Sequence, residues 1–370
     1  MKITKIETIT ADIPRLNPQK LAFATFDIIN YVFTKVHTDE GFIGLGEATM
    51  LSGPTWSEES QETVKGVIDK HLARLVVGED PFCVERILGK MEYVKGNLFA
   101  KAAIEFALFD IMGKALKVPA YQLLGGLCQE KIPLSWSLGV PGQTPEMEAK
   151  DALQLIEKGW RILKMKVAAE SIEKDVERVK KVREAVGDDV KIRLDANAGW
   201  NYIAALKGIQ ELEKYNIDLL EQPLPRWDID GMARLAKVIN TPIMADESLC
   251  TLQDAMNIVK KDAASVFSLK MMKHGGLCNS KKVAGIAEGA GIPCYVGAMG
   301  EAGVGTAACL HFAASTKNVT LGCELFGPLM LKGDIITKPI QYEKGYVFVP
   351  KGQGLGVELD EEKLRKYIAK

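Results

Sequence analysis

The chain has 370 residues, and its 47 basic and 48 acidic side chains leave a net charge of −1. That balance gives no electrostatic reason to expect nucleic acid or an anionic membrane as a partner, and no apolar run reaches the ~20 residues that cross a bilayer. The opening MKITKIETITADIPRL alternates like a strand and lacks the apolar stretch of a secretion signal, so a cytoplasmic protein is expected.

Residues 1–50 read as a strand meander. Ile3, Ile6 and Ile9 mark one strand and Ile28–Val36 another. The turn Thr38-Asp39-Glu40-Gly41 then leads into Phe42-Ile43-Gly44-Leu45-Gly46, a hairpin signal. Residues 58–117 change to helical period: Ala102, Ile104, Phe106, Ala107, Leu108, Ile111 and Met112 form an apolar helix that also carries Asp110 and Lys114. Strands followed by helices predict an α+β unit over 1–125.

From residue 126 to 340 short β-like runs alternate with amphipathic helices such as Ser171–Val186, Asn201–Tyr215 and Cys278–Ala290. The runs are Ile132–Leu138, Ile162–Val167, Val190–Asp195, Leu219–Glu221, Pro242–Asp246, Val266–Lys270, Pro293–Val296 and Thr320–Glu324. Such a series predicts parallel βαβ units closed into a TIM-like barrel. A doubly wound sheet would carry a glycine-rich first βα turn, and no G-x-G-x-x-G stands in that place. Residues 341–370 leave the repeat and are expected to pack back on the N-terminal unit.

The seven cysteines are scattered and never spaced C-x-x-C, which argues against a disulfide framework or a zinc site. The four histidines lie far apart and include no H-E-x-x-H.

The chemistry sits at the predicted strand ends, where a barrel carries its active site. Consecutive strands end Lys164-Met165-Lys166, Asp195-Ala196-Asn197, Glu221-Gln222-Pro223, Asp246-Glu247-Ser248 and Ser268-Leu269-Lys270. Asp195 to Glu221 is 26 positions, Glu221 to Asp246 is 25 and Asp246 to Lys270 is 24, one βα unit each time. Any one of these acids could merely cap the following helix, but three at regular spacing meet at one rim. They offer an all-oxygen site to a hard cation such as Mg²⁺.

Lys166 and Lys270 are expected to face each other across that rim, with Lys164 on the same face as Lys166. A dication and a second ammonium would lower lysine basicity toward the working range. A proton α to a carboxylate is too weakly acidic for an amine alone. A cation on that carboxylate stabilises the enolate that forms, and a lysine then moves the proton.

These segments, with Ala245-Asp246-Glu247-Ser248, resemble the signature of the enolase superfamily, muconate lactonizing subgroup. The resemblance implies a modified (β/α)₇β barrel, with an N-terminal α+β cap completed by the C-terminal segment. It implies Mg²⁺ or Mn²⁺ on Asp195, Glu221 and Asp246, an acid/base pair in Lys166 and Lys270, and Asn197 and Glu247 behind the ligands or beside the substrate. It also implies a small carboxylate substrate and a homo-oligomer, often an octamer.

Chemistry varies within that subgroup. Gly297-Ala298-Met299-Gly300-Glu301 and Glu324-Leu325-Phe326-Gly327-Pro328-Leu329 are similar to cycloisomerases, as are Gly46-Glu47-Ala48-Thr49 and Lys95–Lys101 of the cap. The eighth strand lacks the D-x-D pair typical of dipeptide epimerases. Gly300 departs from the pattern, since a bulkier residue usually precedes Glu301. In the cap loops, Trp56 either closes over a ligand or packs, and Lys20 either meets a second carboxylate or sits exposed. The expected activity is cycloisomerisation of cis,cis-muconate or a substituted muconate. The alternatives are racemisation or epimerisation of an N-acyl amino acid or dipeptide, and an o-succinylbenzoate synthase-like dehydration.

Overall fold

A computed structural model describes residues 1–369. Three strands, β1 (Ile3–Lys20), β2 (Thr25–Thr38) and β3 (Ile43–Met50), form an antiparallel sheet in that order. The expected hairpin is present: the Gly41 N–H donates to Thr38 O at 3.2 Å. Against this sheet lies the helix Leu98–Leu116, buried without a break from Ala102 to Gly113. A helix apolar on all sides belongs in an interior, and the two acids inside it bind backbone. Asp110 accepts from Leu45 N at 2.9 Å and Leu355 N at 2.8 Å, and Glu105 accepts from the N–H groups of Leu277 and Cys278.

The second sheet holds eight parallel strands in chain order: β5 (Ser135–Leu138), β6 (Ile162–Lys166), β7 (Lys191–Asp195), β8 (Ile217–Glu221), β9 (Ile243–Ala245), β10 (Val266–Leu269), β11 (Cys294–Val296) and β12 (Val319–Cys323). A parallel bridge between Leu134 and Cys323 joins the two edges and closes the barrel. Helices follow the first seven strands, while β12 runs into only the short helical turn Gly327–Met330. The β/α barrel with its last helix missing matches the sequence reading.

The run Ile132–Leu138 is divided in the structure. Its first part, β4 (Lys131–Pro133), pairs with a C-terminal hairpin made by β13 (Tyr342–Glu343) and β14 (Tyr346–Phe348). Pro133 has no N–H to give a central ladder, and the pairing changes partner there. The tail then returns to the N-terminal unit through the bridges Pro119–Gly354 and Ala11–Ile368. Among the described residues no helix is long and apolar enough to cross a membrane.

Glu47 of β3 reaches across to the barrel. Its carboxylate is buried and accepts from Ala302 N at 2.8 Å and Gly305 N at 2.7 Å, at the start of the helix Gly303–Ala314. Backbone N–H groups at a helix start have no intrahelical partner, and here the Glu47 oxygens accept from two of them.

Candidate active site

Alternation along β6 turns Lys164 and Lys166 into the barrel and Met165 outward into the core. The Lys164 ammonium lies 2.5 Å from Glu324 Oε1, 2.9 Å from Glu221 Oε2 and 3.2 Å from Asp195 Oδ2. Lys166 Nζ is 2.5 Å from Asp195 Oδ2. On the far wall Lys270 Nζ is 2.6 Å from Asp246 Oδ2 and 4.5 Å above the Trp56 ring. β6 and β10 are four strands apart in an eight-stranded barrel, so the two lysines stand opposite each other. Both line one cavity with Lys164, Asn197, Glu324 and Trp56. Leu219, Met244, Val266 and Tyr295, from four barrel strands, pack together as a separate buried cluster.

The loops that follow the strands are under backbone strain. Asn197 and Gln222 take φ of +40° and +32°, two residues beyond Asp195 and one beyond Glu221. Left-handed backbone is costly for a residue with a Cβ and persists where the surroundings enforce it. Here Gln222 Oε1 accepts from Asp246 N at 3.0 Å and Ser248 N at 3.2 Å, tying the end of β8 to that of β9. The end of β6 is held by Arg178, which donates to Lys166 O at 2.9 Å while pairing with Glu148 and Asp175.

Gly297 leaves the space that Lys270 fills. A Cβ there would lie 2.7 Å from both Lys270 Cε and Ser268 Oγ. Gly300 explains the departure noted in the sequence: its φ is +83°, and a Cβ would meet Ile29 of the cap at 2.8 Å. A bulkier residue does not fit this backbone.

Burial pushes the Glu221 carboxyl up to about 7, helped by neighbouring Asp195. Burial also raises Glu247, with Asp246 and Asp195 beside it, to about 8. Asp195 is desolvated too, yet the ammonium groups of Lys166 and Lys164 outweigh this and hold it down at about 2. Asp246 is lowered likewise, since Lys270 and Lys273 overcome its burial. Without a dication the carboxylates set the direction for two of the lysines. Burial works to lower Lys270 and Lys164, but the surrounding carboxylates dominate and raise both. Lowered lysine basicity therefore requires a cation to draw off that negative charge.

The donor chemistry fits such a cation. Glu221 Oε1, Asn197 Oδ1, Glu247 Oε2 and Glu301 Oε1 are buried acceptors with no hydrogen-bond partner, and orphaned acceptor oxygens call for positive charge. Among the described residues no three acidic, histidine or cysteine groups already converge as a metal cage. The carboxylates turn instead to the ammonium groups, with Lys164 Nζ serving as their shared positive centre.

The other candidates are distributed around this centre. Asn197 Nδ2 donates to Glu247 Oε1 at 3.1 Å, and Glu247 faces a second cavity behind Trp56. Glu301 is buried with Oε2 accepting from Met299 N at 3.0 Å, and burial lifts its carboxyl to about 6. Lys20 does not line the cavity between Lys166 and Lys270: it pairs with Glu170 at 2.7 Å and lines a neighbouring cavity that Lys166 also borders. Neighbours on a strand point opposite ways, and the inward position belongs to Gln19, which bonds Ser137 Oγ at 3.2 Å and lines the cavity.

Sequence reading missed Arg15 and Lys273, and in the cap segment Gln19–Phe23 it pointed to Lys20 rather than Gln19. Arg15 lines the cavity from the cap. Lys273 is buried and grips Asp246 twice, at 2.6 Å on the backbone O and 2.7 Å on Oδ1. Its only sequence signal is the three-residue step from Lys270, which returns it to the same side of a helical turn.

The fold and these strand-end groups define a capped β/α-barrel protein with acidic and lysine side chains gathered at the barrel mouth. The chain belongs to the mandelate racemase/muconate lactonizing enzyme family. Residues 5–125 match its N-terminal domain, and residues 147–363 match the enolase C-terminal domain-like family. It is 38% identical, over 99% of both chains, to a chloromuconate cycloisomerase of Cupriavidus necator. A muconate lactonizing enzyme from Pseudomonas fluorescens, solved with muconolactone, superposes with a TM-score of 0.96 at 38% identity, covering 100% of this chain and 99% of that one. An N-succinyl Arg/Lys racemase from Bacillus cereus superposes with a TM-score of 0.95 at 37% identity and the same coverage.

Proposed function

We propose that this chain is a metal-dependent cycloisomerase that converts cis,cis-muconate or a substituted muconate to its muconolactone. The observation that carries the proposal is the pair of opposed lysines, Lys166 and Lys270, lining one cavity above Asp195, Glu221 and Asp246. One substrate carboxylate oxygen adds across the far double bond and the electron pair moves to the carbon α to the other carboxylate. A lysine ammonium delivers a proton to that carbon, so the product is an isomer of the substrate. Mg²⁺ or Mn²⁺, held by Asp195, Glu221 and Asp246, would supply the positive charge that stabilises the enolate. Lys164, wedged among three carboxylates, keeps their charges apart. The reading carries with it a cytoplasmic setting and a homo-oligomer.

The likeness to the N-succinyl Arg/Lys racemase supports a second reading, racemisation of an N-acyl amino acid, which needs both lysines, one on each face of the α-carbon. One pair of experiments separates them. With Mn²⁺ and cis,cis-muconate, loss of the dienoate absorbance and appearance of muconolactone are expected. In D₂O, a racemase instead places deuterium at the α-carbon of recovered N-acyl amino acid. Racemisation without any muconolactone would overturn the first reading.

A further inference from the structure

We infer that Arg15 is a specificity-determining residue that binds a second carboxylate at the cap end of the cavity, so that the site selects substrates with two anionic ends. The inference rests on the enolate-forming reading of the site and adds to it what the far end of the substrate must be. It starts from how Arg15 is placed. The pairing of β1 with β2 breaks between Pro14 and Gln19, and at Arg15 the chain bridges instead to Leu331, beyond the last barrel strand. This detour carries one arginine from the cap sheet to the barrel mouth.

Arg15 is 5% exposed, yet its guanidinium is poorly satisfied. Its Nε donates to Asn17 O at 3.2 Å and its Nη2 to the Met330 sulfur at 3.4 Å. A thioether is a weak acceptor, and a guanidinium has five N–H groups to place. The other arginines near the barrel core each have a counter-charge or a full set of acceptors. Arg178 pairs with Glu148 and Asp175, Arg193 pairs with Asp218 although its Nη2 is left without a partner, and Arg183 gives its donors to four backbone carbonyls. Among the described residues Arg15 has no carboxylate within ion-pair distance; its nearest polar partners are those two acceptors.

A buried cation left without its counter-charge is costly, and the planar fork of a guanidinium suits a carboxylate held through two bonds. The cavity that Arg15 lines also holds Lys166 and Lys270. A ligand reaching both ends therefore places one carboxylate by the reacting lysines and the other against Arg15. Muconate has that form, and so does an N-succinyl amino acid. An N-acetyl amino acid or a half-ester does not.

The test compares ligands that differ at the second carboxyl group: cis,cis-muconate against its monomethyl ester, which lacks either the attacking or the metal-bound carboxylate and is used as a competitive inhibitor, and N-succinyl-lysine against N-acetyl-lysine as substrates. The parent enzyme, loaded with Mn²⁺, is expected to favour the doubly anionic member by about 10- to 100-fold, in kcat/KM for the lysine pair and in KM against inhibition constant for the muconate pair, the size of a charge-assisted hydrogen bond. Arg15→Met is expected to lose that preference, with the change carried by KM. Its inhibition constant for the half-ester, or its kcat/KM on N-acetyl-lysine, should stay near that of the parent. A parent enzyme with no such preference would overturn the inference without any variant, as would an Arg15→Met enzyme that keeps it. If neither diacid is turned over, the reading of the reaction fails. Calorimetric titration of the Mn²⁺-loaded enzyme with each pair then still decides the role of Arg15: equal affinities for both members in the parent overturn it, and a diacid preference that Arg15→Met removes supports it.

Discussion

Replacing Gly297 by alanine separates the position of Lys270 from the stability of the barrel. The new Cβ would stand 2.7 Å from Lys270 Cε and Ser268 Oγ, and 3.1 Å from Lys270 Cγ. To regain ordinary contact, which begins at 3.4 Å, the lysine must retreat by about 0.7 Å. Its outer carbons can do so by changing rotamer, at a cost of ~1 kcal/mol, the low end for overpacking. For a chain of this length that lowers Tm by about 2 °C. The ammonium, however, then leaves its place beside Asp246 and over Trp56. A misplacement of this order at a reacting group costs roughly 10²-fold in rate. The expected result is a folded Gly297→Ala enzyme with nearly parental KM and a kcat lower by about that factor. Steady-state kinetics on muconate and a melting curve measure both. A variant with parental kcat would refute the argument, because it would mean that Lys270 tolerates displacement or does no chemistry.

Four further outcomes are expected. Lys273→Met should weaken Mn²⁺ binding to the folded enzyme by about 10- to 100-fold, as the loss of a partner behind a ligand usually does; electron paramagnetic titration of free Mn²⁺ reads this directly, and unchanged affinity would remove Lys273 from the site. Arg178→Met strips the buried partner from Glu148 and Asp175 and frees the Lys166 carbonyl, so it should destabilise by roughly 3 kcal/mol in urea unfolding. Burial raises Glu47 to about 8, so the folded protein holds a proton there that the unfolded chain releases near pH 4.5. Its contribution to stability is full below that pH and is lost as pH rises toward 8; Tm measured from pH 5 to 8 should fall less steeply in Glu47→Gln than in the parent. EDTA should abolish turnover and lower Tm, and added Mn²⁺ at 100 times its Kd should restore ~2.7 kcal/mol.

Much of this architecture is legible in the chain because the barrel repeats itself. Asp195, Glu221, Asp246 and Lys270 recur one βα unit apart, so their convergence follows from the repeat. Lys164, Met165 and Lys166 sort by simple alternation. The cap is less legible, because its geometry depends on where β1 leaves β2. That break selects Gln19 over Lys20 for the inward position and swings Arg15 over the barrel, and no local pattern records it. Charge balance is hidden for a related reason. The sequence shows five charged strand ends but not that each carboxylate lies against an ammonium, which raises Lys270 as long as no cation draws off that charge. Lys273 is invisible because it begins a helix of only four residues, Met271–His274, too short to show a period.

The bond from Glu47 to the backbone of Ala302 and Gly305 also bears on how such a protein can change over generations. Trp56, Gln19 and Arg15 approach the cavity from the cap, while the groups proposed to react all stand on the barrel. Exchanging cap loops can therefore retune which molecule is accepted while the reacting side chains stay in place. That freedom holds only while the two parts keep their register, and Glu47 is a fixed peg between them. A transplanted cap would need to bring its own peg, or inherit this one, before any new loop could be read by the old chemistry.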